Sequence, residues 1–360
     1  MVKPYIAVAV QPEVMQCRNR ERVKDNLSRY LEMIDFIHNM GVGAGRLGVK
    51  LLVFPEFFLQ GWLMFQIPHS VYVRDICITI PGEETDKLGE KAKEYSCYIC
   101  GAALVVEPEW PDRFFNVAFI IGPDGKVIHR YHKLNTTNNT IETSMCPHDM
   151  YDAFVQKYGD SLDAFFPVTD TEIGKLGTFI CYDGCFPEVA RGLAMNGAEV
   201  LLRPTAFIQP LHSTPSTKEG WWYLHNRARA VDNMCYVIAP NWGGTGGARP
   251  LLRSFTPGGS MIVDFLGRVL ASADYAGETF VWAEIDVELL REFRSKMRMG
   301  NFIAVLRSEI YSKIYEKPRF PKNKYLEKPP ETLQETWPVI DECIQQCLKE
   351  GIYTAPASKE

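Results

Sequence analysis

No stretch of this 360-residue chain is apolar for long enough to span a bilayer, and no charged, apolar, small-residue leader opens it. A membrane is therefore not expected among its partners, and a cytoplasmic location is. Excess charge is lacking too. The net charge of −5 gives no general electrostatic reason to expect nucleic acid. The ten cysteines show no framework spacing, so reduced thiols are expected rather than a disulfide scaffold. Cys97 and Cys100 lie in an apolar strand without a second half-site, and Cys343 and Cys347 share a helix face. Both pairs read as packing residues. His132, His212 and His225 have no mutual spacing that suggests a metal site. The glycines at 41, 43, 45 and 48 follow a helix rather than a strand, and no Lys-Ser/Thr pair ends them, so they do not form a phosphate loop. No cofactor and no metal are expected.

What is present is an ordinary globular composition, 46% hydrophobic and 23% charged, enough for a large core. Residues 5–11 and 49–54 read as buried strands, with an amphipathic helix over 20–40 between them. A helix is expected over 83–95 and a strand over 98–107. Residues 115–122 and 126–132 form a hairpin through Pro123-Asp124-Gly125. Residues 143–166 look like an insertion, helical around 151–157. Strands are expected at 198–203 and 235–241, a helix at 221–233, and a closing meander over 259–285. Gly243 to Gly247 reads as a flexible lid or turn. Because hairpins recur among strand–helix units, a purely parallel sheet is not expected.

The chain is organised around Gly177 to Arg191. Residues 176–182 read as a short strand, Asp183-Gly184 as a turn, and Pro187 with Glu188 as the first turn of a helix. Cys181 thus ends a strand just before a helix, near free backbone N–H groups, a setting expected to favour a thiolate and to hold an oxyanion. Glu56 stands one residue past the end of a buried strand among aromatics, where desolvation would suit it to proton transfer. The hairpin delivers Lys133 at its far end, followed by a polar loop over 135–140 and by Glu142. Cys185 and Arg191 also fit the minimal spacing of cysteine phosphatases. Phe186, Pro187 and Glu188 fall where a phosphate cradle needs free N–H groups and no carboxylate, which argues against that reading.

Phe54-Pro55-Glu56, His132-Lys133, and Ile180-Cys181-Tyr182-Asp183 with Phe186-Pro187-Glu188 and Arg191 together resemble the nitrilase superfamily of carbon–nitrogen hydrolases, in its order and over about residues 4–290. The resemblance implies an α/β fold, a four-layer α-β-β-α sandwich. It implies Glu56, Lys133 and Cys181 as a catalytic triad, with Glu142 as a second glutamate orienting the lysine. It also implies a homodimer or higher homo-oligomer acting on a small molecule. The expected activity is hydrolysis of an amide or N-carbamoyl compound through a cysteine thioester. Tyr182-Asp183 is closer to amidases, formamidases and carbamoylases than the Trp-Glu of nitrilases, and nitrile hydrolysis is the alternative. A non-catalytic scaffold is the remote one, since the Glu56/Lys133/Cys181 set is intact. Residues 1–290 are expected to be the hydrolase domain. Residues 291–360, rich in charge and proline, are expected to be an extension packing on the body or on a neighbouring subunit.

Overall fold

Tyr5–Gln11 (β1) is buried along its whole length, and alternate side chains enter different cores. Ile6, Val8 and Val10 face one way, and Tyr5, Ala7 and Ala9 the other. That two-residue period with both faces apolar is the signature of a strand covered on both sides. The structure is a computed structural model that describes residues 1–42, 47–137, 142–207, 220–246 and 256–357.

The remaining strands are β2 (Glu13–Met15), β3 (Val49–Glu56), β4 (Tyr98–Val106), β5 (Phe114–Ile121), β6 (Val127–His132), β7 (Val168–Thr171), β8 (Gly174–Thr178), β9 (Val200–Leu202), β10 (Tyr236–Ala239), β11 (Gly244–Gly246), β12 (Met261–Val263), β13 (Val269–Ser272) and β14 (Thr279–Ile285). Apart from β2 and β11, which pair with each other, they form two six-stranded sheets, ordered β14-β1-β3-β4-β5-β6 and β13-β12-β10-β9-β8-β7. In each, parallel pairs occupy the centre, β1–β3–β4 and β8–β9–β10, and antiparallel strands flank them. The helices that matter for the site are α1 (Arg20–Asn39), α2 (Glu83–Tyr95), α3 (Tyr151–Tyr158), α4 (Pro187–Met195), α5 (Trp221–Asn233), α6 (Val287–Lys296) and α7 (Trp337–Lys349).

Three apolar clusters make the layers. Ala7, Ala9, Leu51 and Val53 of one sheet pack against Leu176, Val200, Leu202 and Ile238 of the other. The outer face of the first sheet carries Val23, Leu27, Tyr30 and Ile34 of α1 and Leu88 of α2. The outer face of the second carries Val189 and Leu193 of α4 and Trp222 and Ala230 of α5. The result is the expected α-β-β-α sandwich, with sheets that are mixed rather than parallel.

Three local expectations are corrected. The strand expected at 176–182 is Gly174–Thr178, and Cys181–Cys185 is a 3-10 turn. Glu56 is not beyond its strand but is the last residue of β3. Gly244–Gly246, expected as a lid or turn, is a short strand paired with Glu13–Met15, because small residues let the two backbones run side by side; Gly247 lies outside the described residues, as do 138–140 of the polar loop and His212. Cys97 and Cys100 are buried core residues.

The chain beyond β14 stays on the body. Helix α6 runs across residue 290 and buries Val287 and Leu290 between the sheets. Arg113 donates to the carbonyls of Tyr325 and Leu326 at 3.0 and 2.7 Å. The Tyr325 N–H donates to the Asp149 carbonyl at 3.0 Å, and Asn323 to that of His148 at 3.0 Å. The extension therefore lies over residues 143–166.

Candidate active site

Neighbouring β-ends bring the predicted side chains together. Glu56 ends β3, and Asn116 sits in β5, two strands away. Lys133 follows β6, its N–H still bonded to the Asn116 carbonyl at 3.0 Å. Lys133 is only 1% exposed, and so is Glu56. The Lys133 ammonium donates to Glu56 Oε1 at 2.7 Å and to Glu142 Oε2 at 2.9 Å. Asn116 Nδ2 ties the two carboxylates from the other side, at 2.7 Å to Glu56 and 3.1 Å to Glu142. The second Glu56 oxygen accepts the Ala206 N–H at 2.9 Å. Glu142 is further held by Ser144 Oγ at 2.5 Å and by Thr137 Oγ1 at 3.1 Å. A buried charge persists only with such saturation of its hydrogen bonds.

Cys181 comes from the other sheet. Its thiol lies close enough to the Glu56 carboxylate to feel its charge. Its backbone is left-handed, with φ 46°, a conformation a non-glycine residue adopts only under constraint. The constraint is visible. The Cys181 N–H donates to the Pro204 carbonyl at 3.0 Å, and the Cys181 carbonyl accepts two bonds from the Arg203 guanidinium, 3.1 Å from Nε and 2.7 Å from a terminal nitrogen. Asp183 Oδ2 accepts the Ile180 N–H at 3.0 Å and the Tyr131 hydroxyl at 2.7 Å, while Oδ1 accepts Asn135 N–H at 2.8 Å. Asp183 thus pins the elbow to the segment that follows Lys133.

The electrostatics differ from the expected thiolate. Burial, followed by the Glu56 carboxylate, pushes the Cys181 thiol well up, against the smaller pull of Lys133 and Arg203. The Cys181 N–H, spent on Pro204, is not a free donor either. Burial raises the Glu56 carboxyl, only partly countered by Lys133. For Lys133, burial works against the ammonium, but Glu142 and Glu56 outweigh it and raise its pKa. Glu142 stays low despite burial, because Lys133, Ser144 and Asn116 favour its charged form.

Cys185 is not part of this cluster. Its carbonyl faces Arg229, and helix α4, starting at Pro187, takes up the backbone that a phosphate cradle would need. Among the described residues no group of three or more His, Cys, Asp or Glu is placed to hold a metal ion. Sequence reasoning missed Asn116, Arg203 and the roles of Thr137 and Ser144. Asn116 had a signal, a lone amide inside the apolar run Phe114–Ile121. Arg203 had none.

A cavity of about 850 Å³ opens beside the elbow. Its wall includes Asn135 and Thr137, which bond Asp183 and Glu142, and Tyr182, the neighbour of Cys181. Cys181, Glu56 and Lys133 themselves are not among its lining residues.

A double-sheet sandwich whose strand ends bring a glutamate, a lysine and a cysteine together defines a nitrilase-type hydrolase scaffold. The carbon–nitrogen hydrolase family model matches residues 9–295, and the chain belongs to that family, within the nitrilase superfamily. It is similar to omega-amidase NIT2 of Mus musculus, 30% identical over 295 residues that cover 82% of this chain and 94% of the mouse protein. It is 29% identical to a formamidase of Bacillus cereus over 309 residues, 83% of this chain and 79% of that protein. The crystal structure of Saccharomyces cerevisiae Nit3 superposes with a TM-score of 0.61 at 27% identity, covering 82% of this chain and 95% of that one.

Proposed function

We propose that the chain hydrolyses the C–N bond of an amide or N-carbamoyl compound, with Cys181 as nucleophile, Glu56 as general base and acid, Lys133 as oxyanion donor and Glu142 as the residue that orients Lys133. The observation that carries the reading is the buried ammonium of Lys133 clamped between the carboxylates of Glu56 and Glu142.

In this mechanism Glu56 takes the thiol proton as Sγ attacks the carbonyl carbon. The negative oxygen is met by the Lys133 ammonium and by the Tyr182 N–H, one of the first amides of the 3-10 turn, where intrahelical partners are missing. Glu56 then gives its proton to the departing nitrogen, and the amine or ammonia leaves a thioester. Water, deprotonated by Glu56, attacks the thioester carbon. The acid leaves as the proton returns to sulfur. The same reading takes residues 1–290 as the hydrolase domain and 291–360 as its extension. It includes a cytoplasmic location, where a nucleophilic thiol stays reduced. A homodimer or higher homo-oligomer also belongs to it, supported by exposed Trp221 and Leu224 on α5 and Met195 at the end of α4.

The test is initial rates on matched amides, N-carbamoyl compounds and nitriles, with mass spectrometry for an acyl adduct on Cys181. Amides or N-carbamoyl compounds are expected to be hydrolysed, with nitriles poor. Glu56→Gln is expected to retain binding and lose turnover, because an amide side chain cannot shuttle the proton. A nitrile hydrolysed faster than its amide, with the acid as sole product, replaces this reading with nitrilase.

A further inference from the structure

The cavity beside the elbow is built largely from parts that lie outside the catalytic cluster. Residues 143–166 give it Tyr151, Phe165 and Phe166, and the extension gives it Tyr315, Phe320 and Ile340. Tyr182 and Phe186 close the side next to the nucleophile, in edge-to-face contact at 5.3 Å between ring centroids. Its charged lining is of one sign. Asp149, Asp160 and Glu188 are present, and no lysine or arginine is among the described lining residues. Two of these carboxylates have partners in the wall, Asp160 from the Tyr151 hydroxyl at 3.4 Å and Glu188 from the Tyr315 hydroxyl at 2.6 Å.

Asp149 is different. It is 1% exposed, its Oδ2 accepts the Cys146 N–H at 2.9 Å, and its Oδ1 has no hydrogen-bond partner among the described residues. The Cys146 thiol beside it lends only a weak interaction. Burial raises the Asp149 pKa to about 6, so at neutral pH a carboxylate stands in an apolar wall with half its acceptors unused. Lys322 lies over the Tyr151 ring at 5.3 Å, but is paired with Asp152 at 2.6 Å. A buried, under-bonded carboxylate among aromatic faces is the chemistry that recognises an ammonium group.

Resting on the amidase reading, we propose that this cavity receives the substrate's side chain and selects amides that carry a protonated amine on an aromatic or short apolar arm. Tyr182 follows Cys181 directly, so an acyl carbon on Sγ lies within a residue's length of the cavity wall. The aromatic wall takes the arm, and Asp149, with Asp160 and Glu188, draws the ammonium. An amide carrying a carboxylate meets three like charges and is disfavoured.

The test measures binding without turnover. Calorimetry on the full-length protein compares 4-phenylbutylammonium, 4-phenylbutanol and 4-phenylbutyrate. The ammonium is expected to bind about tenfold or more tightly than the carboxylate. Asp149→Asn is expected to erase that preference, Asp160→Asn to halve it, and Phe320→Ala to weaken all three ligands. All three variants are expected to keep the wild-type circular dichroism spectrum. The proposal is overturned if the carboxylate binds as well as the ammonium, if none of the three binds, or if folded Asp149→Asn and Asp160→Asn both keep the full preference. Should no amide be hydrolysed while the ammonium preference holds, the amidase reading fails and the cavity assignment stands.

Discussion

Arg203 gives the sharpest test of how the elbow works. Its guanidinium is buried, with no carboxylate partner among the described residues, and lies 5.6 Å from the Phe179 ring and 5.0 Å from that of Trp222. It spends two donors on the Cys181 carbonyl and one on Asn226 Oδ1 at 2.7 Å. Burial lowers its pKa, so the fold keeps this charge at a cost. Replacing it by methionine preserves volume and leaves the Cys181 carbonyl without those two bonds, a loss of about 1–3 kcal/mol of stability. The left-handed backbone of Cys181 stores roughly 1–2 kcal/mol that the grip now offsets. Released, the elbow relaxes, and kcat/KM is expected to fall by about five- to thirtyfold. Because Arg203 also pulls the thiol pKa down, alkylation of Cys181 by iodoacetamide at fixed pH is expected to slow as well. The same defect can be approached from the opposite side. A Cβ on Gly184 would lie 2.1 Å from Arg203 Cζ, and the packed guanidinium has no room to retreat, so Gly184→Ala is expected to mimic Arg203→Met. If both variants fold and keep wild-type alkylation rates and kcat/KM, the elbow does not depend on Arg203 and the argument fails.

Other predictions follow from single contacts. Cys181→Ala is expected to abolish hydrolysis and Cys185→Ala to keep most of it; equal losses in two folded proteins would remove Cys181 from its role. Truncation before Lys328 deletes the buried side chains of Leu333 and Val339 and the bond from the His69 N–H to the Glu331 carbonyl at 3.2 Å. It is expected to cost about 3 kcal/mol or more, read as a lower melting temperature or a weaker oligomer in sedimentation. His129 joins the sheets through Thr169 and Thr178 hydroxyls at 2.9 and 2.8 Å, and burial lowers its pKa to about 4. Its folded pKa lies below the unfolded value near 6.5, so its contribution is complete above that value and is lost as pH falls towards 4, up to about 3 kcal/mol. Urea unfolding at pH 7.5 and 5 is expected to show a smaller pH difference in His129→Leu than in wild type, and an identical difference would refute the assignment.

The sequence carried the layers more readily than the site's fine structure. Helices 83–95 and 221–233 and strands 5–11 and 279–285 form at the expected residues, because apolar periodicity and glycine or capping signals agree there. Residues 176–182 did not behave as one strand. Phe179 and Ile180 have strand-like composition, and the Phe179 N–H still bonds the Leu202 carbonyl at 3.0 Å, but the Asp183 carboxylate captures the Ile180 N–H and turns the chain. Arg203 illustrates what one-dimensional reading omits. At the end of a strand it looks like a solvated cation, but in the fold Trp222 of α5 and Phe179 of the elbow pack against it. The thiolate expectation failed for a related reason. It counted backbone dipoles near Cys181, whereas burial and the charge of Glu56, its implied triad partner, push the thiol up.

That proximity gives the raised pKa values a constructive sense in the proposed mechanism. With both carboxylates and Lys133 ionised and Cys181 a thiol, the buried cluster carries one negative charge. Moving the thiol proton to Glu56 leaves that total unchanged. Burial, which opposes a thiolate at Cys181 and a carboxylate at Glu56 alike, is therefore nearly neutral toward the transfer between them. Lys133 and Glu142 stay ionised on either side of the step, because each holds the other in its charged form. The thiol then needs no lowered pKa of its own; it needs a nearby base as reluctant as itself to hold charge.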